Sequence, residues 1–159
     1  MNFLALDLAT QLGWARWIVQ SLDSGTESFK PRNGESPGMR FLNFEGWLHR
    51  MILTCQIDII AYEQAHLRGA AATEVIVGMI VIVKKLCAEY GIEYTDRHTG
   101  TIKVFATGYG KASKPAMVEA AVQKFPDQKI IDDNQADALH LLSLVLHDLE
   151  GVDICHVGT

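Results

Sequence analysis

Two short, largely apolar runs in this chain each end in an acid. Phe3-Leu4-Ala5-Leu6 leads to Asp7, and Ile57-Asp58-Ile59-Ile60-Ala61-Tyr62 leads to Glu63. Runs of this length and hydrophobicity read as strands buried in a sheet. Such strands need helices packed against them, which points to a layered α/β arrangement. The acids then fall at the carboxyl ends of the strands. That is where sheets of this class place their sites.

The intervening segments fit that arrangement. A polar turn over 9–13 leads to Trp14-Ala15-Arg16-Trp17-Ile18-Val19, whose alternation and aromatics suit a second strand and a hairpin. Residues 20–37 are rich in Ser, Gly, Pro and charge, and read as a flexible connection with a short third strand around Ser28-Phe29. Apolar residues from Gly38 to Cys55 recur at helical spacing. The stretch VIVGMIVIV (75–83) is β-branched enough to be a strand. The alanines before it, KKLCAEY after it and the length of the whole segment predict a helix over 67–90, stopped by Gly91. A strand over 92–96, a short helix beginning near Thr101, a helix from Pro115 to Phe125 and a last helix over 134–149 complete the order. The expected fold is α/β, a central mixed five-stranded sheet flanked by helices. It forms one domain over 1–150, with a loosely held tail over 151–159.

The run 75–83 is too short to span a bilayer. The N-terminus lacks the basic start of a signal peptide and carries Asp7. Cys55, Cys87 and Cys155 are widely spaced, with no CxxC, as expected of reduced thiols. The expectation is a soluble, cytoplasmic protein with no membrane partner. Taken alone, the formal net charge of −5 argues mildly against a nucleic-acid binder, because phosphate contacts need Lys and Arg. Its distribution is uneven: from Arg97 to Met117 there is no acid, while His98, Lys103, Lys111 and Lys114 lie in that window. A basic stretch of this kind is either a solvated loop or a phosphate-facing surface.

A third acid, Asp137, sits in the opening turns of the otherwise apolar last helix, in IDDNQADALH (131–140). Asn134 and Asp133 lie one turn earlier on the same helical face, and His140 one turn later. Acids and amides at a helix start also act as caps, a role open to Asp133 and Asn134. If the strands ending in Asp7 and Glu63 are adjacent and parallel, a helix packed on them brings Asp137 alongside. Gathered carboxylates repel one another unless cations neutralise them. Hard oxygen donors suit Mg²⁺ or Mn²⁺, and two such ions about 4 Å apart promote phosphodiester hydrolysis.

The elements LALDLATQLGWA, AYEQ, GYGKASK and DDNQADALHL, in this order, resemble the RuvC group of Holliday-junction resolvases within the RNase H-like superfamily, its phage and prophage members above all. The resemblance covers roughly residues 2–147. It implies an RNase H-like fold, a homodimer, two Mg²⁺ ions per site (with Mn²⁺ able to substitute), no organic cofactor, and paired nicking of four-way DNA junctions. It puts the catalytic, metal-binding acids on Asp7, Glu63 and Asp137, with either Asp133 or Asn134 completing the metal site. In the family the two acids of the last helix are usually three residues apart, and here that position is the amide Asn134. Lys114 falls where the family has a basic residue facing the scissile phosphate. His66 stands where the family often has an aromatic at the crossover.

Other residues are DNA-contact candidates on their own chemistry. Gly108-Tyr109-Gly110-Lys111 can present backbone N–H groups to a phosphate, with Tyr109 free to stack on a base. Arg68 and Arg97, and more weakly Lys103, are candidate phosphate contacts. His140 reads as a packing histidine, with support of the metal site as the alternative. Part of the 75–83 helix can serve a two-fold interface, with Met79 and Ile80 as test positions and Gly78 allowing close helix approach. Two rivals to the resolvase reading follow from the same residues. One is an RNase H-like module that binds DNA without cutting. The other is a nuclease for flaps or RNA–DNA hybrids.

Overall fold

The computed structural model describes residues 1–65 and 69–154. His66 and Arg68 therefore lie outside the described residues, as does the end of the tail. The strands are β1 (Phe3–Asp7), β2 (Gln11–Ile18), β3 (Ser21–Ser28), β4 (Ile59–Glu63) and β5 (Glu93–Arg97). The helices are α1 (Met39–Cys55), α2 (Ala70–Tyr90), α3 (Thr99–Thr107), α4 (Lys114–Lys124) and α5 (Asp133–Glu150). The five strands form one sheet in the order β3-β2-β1-β4-β5. The β1–β2 and β2–β3 pairs are antiparallel, while β1–β4 and β4–β5 are parallel. This is the mixed five-stranded sheet that the sequence predicts, with β1 and β4 adjacent and parallel.

The two-residue period of a strand decides where the acids go. Leu4, Leu6, Ile60 and Tyr62 point to one face and join a core with Phe44, Leu48, Met79 and Val83 from α1 and α2. Phe3, Ala5, Ile59 and Ala61 point to the other and pack with α3, α4 and α5. Asp7 and Glu63 continue this second series, so both face the α5 side. The register pairs Phe3 with Ile59 and Ala5 with Ala61, which carries the two acids to neighbouring positions at the sheet's carboxyl end.

Toward the site that face is floored with small residues. Ala5, Ala15 and Ala61 are all buried there. Gly13, opposite Asp7 on β2, makes the closest approach. A Cβ on Gly13 would stand 1.9 Å from the Asn134 carbonyl oxygen. Only a residue without a side chain lets the first turn of α5 sit on the sheet at that point.

Three expectations change. The third strand is not a short piece at Ser28-Phe29 but the eight-residue β3, paired with β2 along its whole length from Ile18↔Ser21 to Gln11↔Ser28. Its polar sequence hides it, because β3 is an edge strand and most of its residues are only partly buried. The hairpin turn at Val19 and Gln20, with φ of 48° and 63°, carries none of the glycine or asparagine that usually marks such turns. Met79 is wholly buried in the core, and the space beside Gly78 is filled by the Phe41 ring of α1. The exposed large apolar residues of α2 are Val77 and Val81. The described part of the tail is docked rather than loose: Ile154 is buried in the α5-side core. Among the described residues, no helix is long and apolar enough to cross a membrane.

Candidate active site

At the carboxyl end of β1 and β4 lies a cavity of about 240 Å³. Asp7 comes from the end of β1, Glu63 from the end of β4, and Asp133, Asn134 and Asp137 from the first turns of α5. All five residues read from the sequence as metal donors line this one cavity. Lys114, at the start of α4, lines it too.

The start of α5 is held from several directions. Its N-cap is Asp132, neither Asp133 nor Asn134: the Asp132 carboxylate accepts from the Gln135 amide at 2.9 Å. Capping at 132 leaves the side chains of 133 and 134 for the cavity. Gln135 is 2 % exposed and fully engaged. Its side-chain oxygen accepts from Ile131 N–H at 2.9 Å, and its amide donates to Ser24 Oγ on β3 at 2.9 Å. Ser24 in turn donates to Gln128 at 2.6 Å. Edge strand β3 thereby braces the helix turn that presents the acids.

The electrostatics record how crowded the acids are. Burial raises the Asp7 carboxyl well above its ordinary range, and the charges of Asp137, Glu63 and Asp133 raise it further. Asp137 is pushed up to about 7, by burial first and then by Glu63 and Asp133. Asp133 goes the other way. It pairs with Lys114, whose ammonium holds its carboxyl below the usual carboxylate range. The same contact holds Lys114 above the usual lysine range.

The donor chemistry fits a hard divalent cation. The acids and the Asn134 amide offer oxygen donors, and among the described residues no thiol or imidazole lines the cavity. Among the described residues, no three acid, histidine or cysteine side chains stand close enough to make a ready metal cage. Lys114 engages Asp133, and the Thr99 hydroxyl engages Glu63.

The remaining candidates fall in different places. Tyr109 is 61 % exposed on the α3–α4 loop, beside exposed Lys111 and outside the cavity wall. Arg97 ends β5 and is bound within the chain, donating to Asp148 at 3.0 Å, to Thr95 Oγ1 at 2.7 Å and to the Asp96 carbonyl at 2.8 Å. His140 is a packing residue. Its Nε2 meets the Met117 carbonyl at 2.9 Å, its ring lies against Phe125, and burial lowers its pKa. Two lining residues carried little or no signal in the sequence: Thr99, and Lys103 one turn along the same face of α3.

This architecture has known counterparts. Thermus thermophilus RuvC superposes with a TM-score of 0.73 at 17 % identity, over 95 % of this chain and 97 % of that one. The fold is that of RuvC. The structure of T. thermophilus RuvC in complex with Holliday junction substrate matches equally, with a TM-score of 0.73 at 17 % identity over 89 % of this chain and 90 % of that one. Fowlpox virus resolvase, in a complex with substrate Holliday junction DNA, matches at a TM-score of 0.59 and 13 % identity, over 94 % and 99 % of the two chains. No protein-family model matches the sequence, and a search of curated proteins gives no match. The RuvC-like fold is thus established by shape at low sequence identity.

Proposed function

We propose that this protein is a divalent-metal-dependent endonuclease that resolves four-way DNA junctions. The observation that carries the proposal is the single cavity into which β1, β4 and α5 deliver Asp7, Glu63 and Asp137, with Lys114 on its rim, in a RuvC-like fold. Asp7, Glu63 and Asp137, with Asp133 or Asn134, would hold Mg²⁺ or Mn²⁺, two ions per site. Bound there, the ions would supply an activated water and neutralise charge on the leaving oxygen. Lys114 would leave Asp133 and orient the scissile phosphate, with Lys103 on the neighbouring helix as a second positive charge. Tyr109 and Lys111 extend that basic edge toward the DNA backbone, where His66, Arg68 and Arg97 are further candidate contacts. Recognition would rest on junction shape and phosphates, so binding weakens steeply with added salt despite the acidic composition. Paired nicking calls for two copies of the chain, and the exposed large apolar residues of α2, Val77 and Val81, are the surface proposed for the two-fold contact. The working unit is the domain over 1–150, acting in the cytoplasm.

A panel of labelled four-way junction, flap, RNA–DNA hybrid and plain duplex, incubated with Mg²⁺, tests this reading. Symmetric nicks in the junction are expected from the native protein, and background levels from Asp7→Asn. Cutting of flap or hybrid in preference to junction would overturn the substrate. Junction binding without any metal-dependent cutting would overturn the activity.

A further inference from the structure

Glu63 differs from the other two strand and helix acids in one physical respect. It has three side-chain torsions, where Asp7 and Asp137 have two. A glutamate loses up to about 1.5–2 kcal/mol of rotamer freedom when fixed, more than an aspartate does. A donor that selects one conformer of Glu63 would offset that cost.

The structure supplies one. Thr99 is the first residue of α3, just after the His98 cap, and its hydroxyl donates to Glu63 Oε1. Thr99 is β-branched and sits on a helix start, so its own side-chain torsion is restricted to few rotamers. Both residues line the cavity. A carboxylate has about four lone-pair sites, so a donated hydrogen bond and a cation can share one.

We infer that Thr99 is a positioning residue for Glu63: its hydroxyl selects the glutamate conformer that faces the metal site. This rests on the metal-site reading above. Groups that orient a metal ligand typically change affinity by about 10–100-fold when removed.

The test is calorimetric titration of Mn²⁺ into the free protein, with no DNA present. Thr99→Val, which keeps the shape and deletes the hydroxyl, is expected to weaken Mn²⁺ binding about tenfold. Thr99→Ser is expected to bind within about twofold of native, since it keeps the donor. In a Glu63→Gln background, Thr99→Val should add nothing further. The same tenfold shift should appear in the Mn²⁺ concentration that half-saturates junction cleavage, with the KM for DNA unchanged. Thr99→Ala serves the same comparison if Thr99→Val does not fold. Native-like Mn²⁺ affinity in Thr99→Val, or an equal loss in the Glu63→Gln background, would overturn the inference alone. A native protein that takes up no Mn²⁺ would overturn the metal-site reading and this inference with it.

Discussion

The two faces of the central sheet are built from the same strands and do opposite things. On the α1–α2 side the strands present Leu4, Leu6, Ile60 and Tyr62, large side chains packed into an ordinary core. On the α5 side, toward the site, they present Ala5, Ala15, Ala61 and Gly13, and the helix backbone comes down almost onto the sheet. Large residues give one face its share of stability. Small ones give the other face its geometry, because a close helix can deliver acids to the strand ends. The lesson is that the site depends on what is missing from the sheet as much as on the carboxylates themselves.

Substitutions on the two faces should therefore fail differently. Gly13→Ala forces the first turn of α5 off the sheet. Its expected result is a loss of junction cleavage on the order of 100-fold, from misplacement of Asp137 relative to Asp7. The accompanying loss of stability should be about 1–3 kcal/mol. Leu6→Ala, one residue from Asp7 but on the other face, should cost about 2–5 kcal/mol in urea unfolding. The Mn²⁺ affinity of its folded fraction should stay native. A Leu6→Ala protein that loses metal binding in proportion to stability would erase the distinction between the faces.

A smaller effect sharpens the electrostatic side. Asp137 titrates near 3.8 when free and is pushed up to about 7 in the fold. Between those values the folded chain holds a proton that the unfolded chain has released. The group's contribution to stability therefore falls as pH rises from about 4 to about 7. Asp137→Asn removes that penalty. Without metal at pH 8, it should be more stable than native by on the order of 2–4 kcal/mol. The advantage should vanish near pH 4, as measured by urea unfolding in a chelator. A variant no more stable than native at pH 8 would show that the acids are not crowded. Smallest of all should be the effect of Val81→Glu on folding, within about 0.5 kcal/mol, because Val81 is 60 % exposed. It should nonetheless turn a dimer into a monomer by light scattering. A dimer that persists would move the two-fold contact elsewhere.

Much of the site was legible because strand parity is readable. Asp7 and Glu63 end apolar runs, and counting by twos along each run puts both acids on one face. Asp137 was legible as an acid in an otherwise apolar helix. What was hidden depends on contacts between segments distant in sequence. Thr99 is one threonine among several until α3 docks it on Glu63. Asp132 and Asp133 are adjacent identical residues, and only the backbone separates a cap from a cavity-lining acid. β3 lacks a hydrophobic pattern because an edge strand is held mainly by its ladder to β2. Met79 is indistinguishable by composition from its outward neighbours on α2.

The alternation along β1 also works as a check on assembly. A slip of one residue between β1 and β4 would turn Asp7 toward the leucine-rich side and Leu6 into the cavity. No partly active intermediate lies between the two registers. Loss or gain of a single residue within 3–6 should therefore abolish function outright, whereas the exposed connection over 32–38 has room for changes in length. The chain's tolerance to insertion and deletion is set residue by residue, and it is narrowest where the sequence looks most featureless.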